Sequence, residues 1–280
     1  MSGTAATERG RLLDLSFVRR GGRTVIDRRL FAWPFVLTRS FHVDEDRPER
    51  LSVIVQTGSG AVHGEDSLAQ RLALGPGTAV CLTGQGATSV HRAAPAIRAR
   101  EVVRLHVDSG ASLEYLPEPR ILFPDAALSQ LTEIDCEQNA CALITDAFTM
   151  HDPAGHDRCF RELESTFCLR RSSREPVLID RTRLQRPDRT LFRGHRAFGA
   201  AFMMLTPSHD LATLQRSVAS ALTPVSGLYA AASLLPDGAG IGVRLAALDL
   251  RSIRDAFARI QAIYLEALWA TADVPVARHA

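Results

Sequence analysis

The stretch VRLHVD at residues 103–108 sets Val103, Leu105 and Val107 against Arg104, His106 and Asp108. Successive side chains of a strand point to opposite faces, so this alternation predicts a strand with one dry and one wet face. Upstream, Leu51, Val53 and Val55 alternate with Ser52, Ile54 and Gln56. Short apolar runs of this kind continue from about Leu13 to Phe123. Turn signals separate them at Gly58–Gly60, Gly75-Pro76-Gly77, Ser109-Gly110 and Pro124-Asp125. With no helical periodicity in between, the pattern predicts a mainly β protein of stacked antiparallel sheets, as a sandwich or a coiled β architecture. Ala142–Phe148 and Val177–Ile179 read as further strands.

Helical signals come only toward the C-terminus. Leu211, Leu214, Val218 and Leu222 share one face, with Ser208 or Asp210 as the cap. Ile253, Ala256, Phe257, Ile260, Ile263, Tyr264 and Ala267 give an i, i+3, i+4, i+7 stripe over about five turns. Ser252 followed by Asp255 resembles a capping box. The apolar face of this second helix is expected to pack on the sheet, with a face for a partner helix as the alternative. Residues 1–10 read as a loose tail and 11–275 as a single domain.

The composition sets limits on function. The chain has 280 residues, 46% apolar and 23% charged, with a formal net charge of +2. That describes a globular protein with a sizeable core rather than a disordered or nucleic-acid-coating one. All of its permanently basic side chains are arginines. Arg170, Arg171, Arg174, Arg181, Arg183, Arg186, Arg189, Arg193 and Arg196 form a basic stretch. It lacks the interleaved aromatics of a nucleic-acid surface and reads as a solvated face or a surface for an acidic protein. Five cysteines, an odd number with no C-x-x-C pair, point to free thiols in a reducing compartment. There is no apolar run of ~18 residues to span a membrane and no signal-peptide core near the start, so the expected compartment is the cytoplasm.

Catalytic patterns are sparse. The run from Thr57 to Gly64 (TGSGAVHG) looks like a phosphate loop but lacks the Gly-Lys-Ser/Thr end, and reads as a turn between strands. His63 and Asp66 stand at a spacing that suits a borderline divalent metal, with Glu65 between them. His151, Asp152, His156 and Asp157 form a second histidine- and aspartate-rich turn. His91 and His106 fall in or beside strands. Cys81 reads as a core residue with nothing nearby to depress its pKa. No nucleophile elbow and no helical His-Glu-x-x-His occurs.

Leu113 to Ala126 (LEYLPEPRILFPDA) resembles the LEWLP segment of the urease accessory proteins of the UreD (UreH) family. Other pieces follow in order. They are Phe17, Gly22 and Thr24; Trp33 to Arg39; Gly64-Glu65-Asp66-Ser67-Leu68 at the Gly-Gly-Asp turn; Gly75-Pro76-Gly77 with Leu82-Thr83, Ala87-Thr88 and Arg92; and Gly227 to Leu234 (GLYAAASL) at GLYAGAS. The resemblance spans roughly residues 10–270. It departs at Glu65, Ser89, His91, Thr145 and His151-Asp152.

The resemblance implies a superhelical stack of β-sheets with two helices and no enzymatic activity. It implies a urease maturation scaffold that binds UreF, through it UreG, and apo-urease, and offers nickel a transient path with no tightly bound cofactor. Asp66 matches the aspartate of the glycine-Asp turn, Asp146 that of a Trp-Asp segment, and Asp157 lies near a following Gly-Glu. With His63, these are the residues expected to meet nickel. Two alternatives stand beside this reading. One is a diverged paralogue acting only as a protein-binding module. The other is a metal-dependent hydrolase using His63, Asp66, His91 and His106, which would need all four within ~2.0–2.2 Å of one ion.

Overall fold

The structure, a computed structural model, describes residues 11–45, 47–172 and 175–272. The tail expected at 1–10, the last residues of the expected domain and Arg174 lie outside the described residues. The strands are β1 Arg11–Arg20, β2 Arg23–Phe31, β3 Phe35–Leu37, β4 Arg50–Thr57, β5 Ala61–Val62, β6 Ser67–Leu74, β7 Ala79–Gly84, β8 Thr88–Val90, β9 Ala99–Val107, β10 Ser112–Leu116, β11 Arg120–Leu122, β12 Ala127–Cys136, β13 Cys141–Met150, β14 Glu162–Arg170, β15 Leu178–Gln185 and β16 Ala197–Met204. Helix α1, Leu211–Leu222, follows, then β17 Leu228–Leu234, β18 Gly240–Ala247 and helix α2, Leu250–Ala272.

Two sheets face each other. One has the order β15-β14-β12-β9-β6-β1-β2, and the other runs β17-β18-β16-β13-β10-β7-β4-β3, with β11, β8 and β5 continuing from β13. Between β4 and β14 the main strands fall alternately in one sheet and the other. Each strand therefore returns beside its predecessor after a full coil and runs in the same direction. The stacked β layers and the two C-terminal helices are as expected, but the strand direction is corrected. The ladders β1-β6-β9-β12-β14 and β4-β7-β10-β13 are parallel. Among the described strands the antiparallel ladders lie at the ends: β1 with β2, β3 with β4, β14 with β15, and β13-β16-β18-β17. A period-2 pattern reports which face is wet and says nothing about the direction of the neighbour, which is why the alternation misled on this point.

Inward positions build the main core. Val103, Leu105 and Val107 of β9 are buried while Arg104 and His106 stand outside. Leu13, Leu15, Leu72, Leu113 and Ile134 are fully buried between the sheets. Each such side chain contributes ~1.5–3 kcal/mol of burial. A second core lies between the outer face of the larger sheet and the helices, where Val218, Leu222, Ile253, Ala256, Ile260 and Tyr264 pack on Leu143, Met203 and Val243. Helix α1 is capped by Asp210, whose carboxylate accepts from the Thr213 backbone at 3.1 Å. The cap of α2 is Asp249, which accepts from the Ser252 backbone at 2.9 Å. The expected Ser252 cap lies inside the helix because the aspartate three residues earlier takes that role.

Candidate functional site

The chemistry-bearing residues fall into two places. The first is a surface row of rings. Val62, Val90, Leu122 and Met150 are register partners on β5, β8, β11 and β13. The residues one step beyond them, His63, His91, Phe123 and His151, therefore come into line although they are far apart in the chain. His63 stacks on His91 at 5.1 Å and 12°, His91 on Phe123 at 5.1 Å, and His151 meets Phe123 edge-on at 5.5 Å. The turn beneath His63 is tight. A Cβ on Gly64 would lie 2.6 Å from the Ala93 Cβ, so only glycine fits there. Asp66 closes the turn by accepting the His63 backbone N–H at 2.8 Å. Glu65 is exposed, which is how the turn tolerates a side chain at that position. Asp157 lies in the exposed loop after β13, at a positive φ of 59°. In the same loop Asp152 accepts the Ala154 and Arg158 backbone N–H groups at 3.1 and 3.0 Å, and these bonds hold its carboxyl down at about 2.

The second place is inside. Asp146 shares the inward face of β13 with Ala142, Ile144 and Phe148 and reaches across to the other sheet, where its Oδ2 accepts from Ser165 Oγ at 3.0 Å. Ser165 has Gln130 and Thr182 as register partners, and Gln130 is paired with Glu101. Glu101, Gln130, Ser165 and Thr182 thus form one polar row across four strands. Arg120 lies against this row. Its Nε and Nη2 donate to Glu101 Oε2 at 3.1 and 2.7 Å, and its Nη1 donates to the Glu118 carbonyl at 3.2 Å. Gln130 approaches the same Glu101 oxygen at 3.5 Å, and the Tyr115 hydroxyl donates to Gln70 at 3.3 Å.

Burial pushes the Asp146 carboxyl up, while Arg120 and the Ser165 bond pull it back. Asp146 and Ser165 line a cavity of about 490 Å³, walled by Phe148, Leu163, Phe198 and Leu245, with Arg244 also lining it. Arg244 is paired with Asp180 of β15. A smaller space of about 50 Å³ is lined by Gln70, Glu101, Tyr115 and Arg120.

His63 and Asp66 share one turn, and His91 and His151 join that row. Asp146 belongs to the interior row. His106 is on the outer face of β9. Among the described residues no three His, Cys, Asp or Glu side chains are grouped so as to hold a metal ion, and His106 of the hydrolase reading stands on β9 rather than in the row of His63 and His91. Three arginines of the basic stretch are engaged by neighbours within the fold. Arg170 pairs with Glu133 and Asp135, Arg183 with Glu162, and Arg171 donates to backbone carbonyls. The sequence reading passed over Glu101, Gln130 and Ser165. Glu101 had a signal, since it has the same parity as Val103, Leu105 and Val107 and so had to point inward.

Among the described residues no helix is long and apolar enough to cross a membrane. The five cysteines are free thiols.

The family model described as the UreD urease accessory protein matches residues 9–278. Two relatives, both named urease accessory protein UreD 2, come from Bradyrhizobium sp. strains ORS 278 and BTAi1. Each is 63% identical over 254 residues, covering 91% of this chain and 89% of the relative. A urease accessory protein UreD 1 from Methylorubrum populi is 33% identical over 91% of this chain and 87% of its own length. These relatives are accessory proteins, not enzymes, and the chain belongs to the UreD family of urease accessory proteins.

Proposed function

We propose that this chain, in its urease maturation role, offers nickel a transient path between its two sheets on the way to apo-urease. The observation that carries the reading is the polar row Glu101–Gln130–Ser165 with Asp146 facing it, flanked by the two cavities. Carboxylate and hydroxyl oxygens are acceptable ligands for a borderline divalent ion. A tight structural site gathers a full set of ligands. Two carboxylates with neutral oxygens between them attract the ion without completing its shell, so it can leave again. Asp66, His63 and Asp157 would meet nickel at the surface, before or after the interior segment. No catalytic residue and no resident cofactor enters this scheme.

The partners of the reading are UreF, UreG through UreF, and apo-urease, in the cytoplasm. Leu30, Phe31, Trp33, Phe41 and Val43 are exposed at and after the free edge strand β2. Exposed apolar side chains of this kind supply surface for such partners.

The test is complementation of cells that lack the chain. Asp146→Ala, alone and with Asp66→Ala, is expected to leave urease protein abundant but poor in nickel by elemental analysis. Co-purification of each variant with UreF and apo-urease controls for folding. Normal nickel occupancy in urease from those cells would overturn the path.

A further inference from the structure

We propose that Arg120 is a resident cation, a guanidinium that stands in the interior row in place of the metal and screens Glu101 and Asp146 until it is displaced. The inference rests on the nickel path proposed above and names the residue that regulates it.

The geometry supports a screen rather than a simple structural pair. Glu101 is 5% exposed and the Arg120 side chain 13%. Both bonds from Arg120 converge on a single carboxylate oxygen, Oε2, at 2.7 and 3.1 Å. Its charge also reaches Asp146, which has its own hydrogen bond to Ser165. Arg120 lines the smaller space and Asp146 the larger one. With Glu101 and Asp146 ionised and Arg120 charged, the row carries one net negative charge (two minus one). A divalent ion in place of the guanidinium balances both carboxylates in full. The exchange leaves no carboxylate uncompensated, the condition under which a buried charge is tolerated. The cavity of about 490 Å³ beside Asp146 provides room for an entering ion.

Arginine is suited to this task and lysine to a lesser version of it. A guanidinium cannot be deprotonated in a protein, so the screen holds at every working pH. It leaves by swinging aside, not by losing a proton.

The experiment is equilibrium dialysis of the full-length chain against Ni2+, with bound metal read by elemental analysis. Arg120→Gln keeps donors toward Glu101 and removes the charge. It is expected to lower the half-saturating nickel concentration by about tenfold or more, the scale set by one charge at close range. Arg120→Lys, which keeps the charge, is expected to stay closer to the parent than Arg120→Gln does, and adding Asp146→Asn to Arg120→Gln is expected to abolish the gain. If Arg120→Gln binds nickel as the parent does while Asp146→Asn weakens binding, the screen is wrong and the path stands. If Asp146→Asn changes nothing, the path itself fails. Should Arg120→Gln not fold, Glu101→Gln serves instead. It frees Arg120 to pair with Asp146 and leaves the row neutral. Nickel binding is then expected to drop, and unchanged or tighter binding would overturn the screen.

Discussion

Arg50 and Glu114 are joined by two hydrogen bonds, Nε to Oε1 at 2.7 Å and Nη2 to Oε2 at 3.0 Å, and Gln261 of α2 donates to the same carboxylate. The Glu114 side chain is only 4% exposed. The pair ties β4 and β10 to the helix that covers the larger sheet. Tyr264, fully buried on α2, adds a 3.4 Å contact to the Leu113 carbonyl. Breaking a buried pair from one side leaves the partner uncompensated. Glu114→Ala is therefore expected to cost about 3 kcal/mol, read from a denaturant midpoint, and to expose α2 to limited proteolysis. A variant within about 0.5 kcal/mol of the parent would show that the pair does not hold the helix.

The LEYLP segment shows how much of the fold could be read in advance. It served as a family motif, and the structure adds what it does: Glu114 and Tyr115 take opposite faces of β10, Glu114 meeting α2 and Tyr115 meeting Gln70 of the other sheet. The α2 stripe named Ile253, Ile260 and Tyr264 as buried. Pairing direction was not legible, because it depends on which sheet the chain visits next and not on the local pattern. The interior row was hidden for the same reason. Glu101, Gln130 and Ser165 stand 29 and 35 residues apart in the chain (130 − 101 and 165 − 130), and only the register places them side by side. The ring row of His63, His91 and His151 is another product of register alone.

Arg171 does its work through backbone carbonyls. Nη1 donates to Glu137 and Ala140 at 2.8 and 3.2 Å, and Nη2 donates to Ala239 at 3.2 Å and to Leu205. It joins the turn between β12 and β13 to the segments after β16 and before β18. An ammonium cannot span those directions with one fork. Arg171→Lys is expected to lose about 2 kcal/mol, on the scale of a hydrogen bond to a charged group. A urea midpoint unchanged from the parent would show that the fork is dispensable.

The thiols should differ sharply in reactivity. Burial pushes Cys81 and Cys136 up to about 12, so almost none of either is thiolate at pH 8. Cys159 is half-buried in the loop after β13 and is the most accessible of the five. Alkylation of the native protein at pH 8 is expected to modify Cys159 first, with Cys81 and Cys136 reacting only on unfolding. Peptide mapping that found Cys81 among the early products would contradict its buried position.

Asp146 gives the fold a pH dependence of its own. Its carboxyl is raised above the ordinary value, chiefly by burial, with Arg120 opposing and Glu101 adding to the rise. At pH values between the unfolded and the folded pKa, the folded state therefore holds a proton that the unfolded state has released. Stability from this group is complete below the unfolded carboxylate pKa and is lost as pH rises through the folded one. Asp146→Asn keeps the shape, cannot ionise and escapes that loss. Its denaturant midpoint is expected to gain on the parent between pH 5 and pH 8, with the smaller difference at pH 5. A gap between the two proteins that stays constant over this range would mean that Asp146 titrates alike in both states and that the interior is wetter than its packing implies.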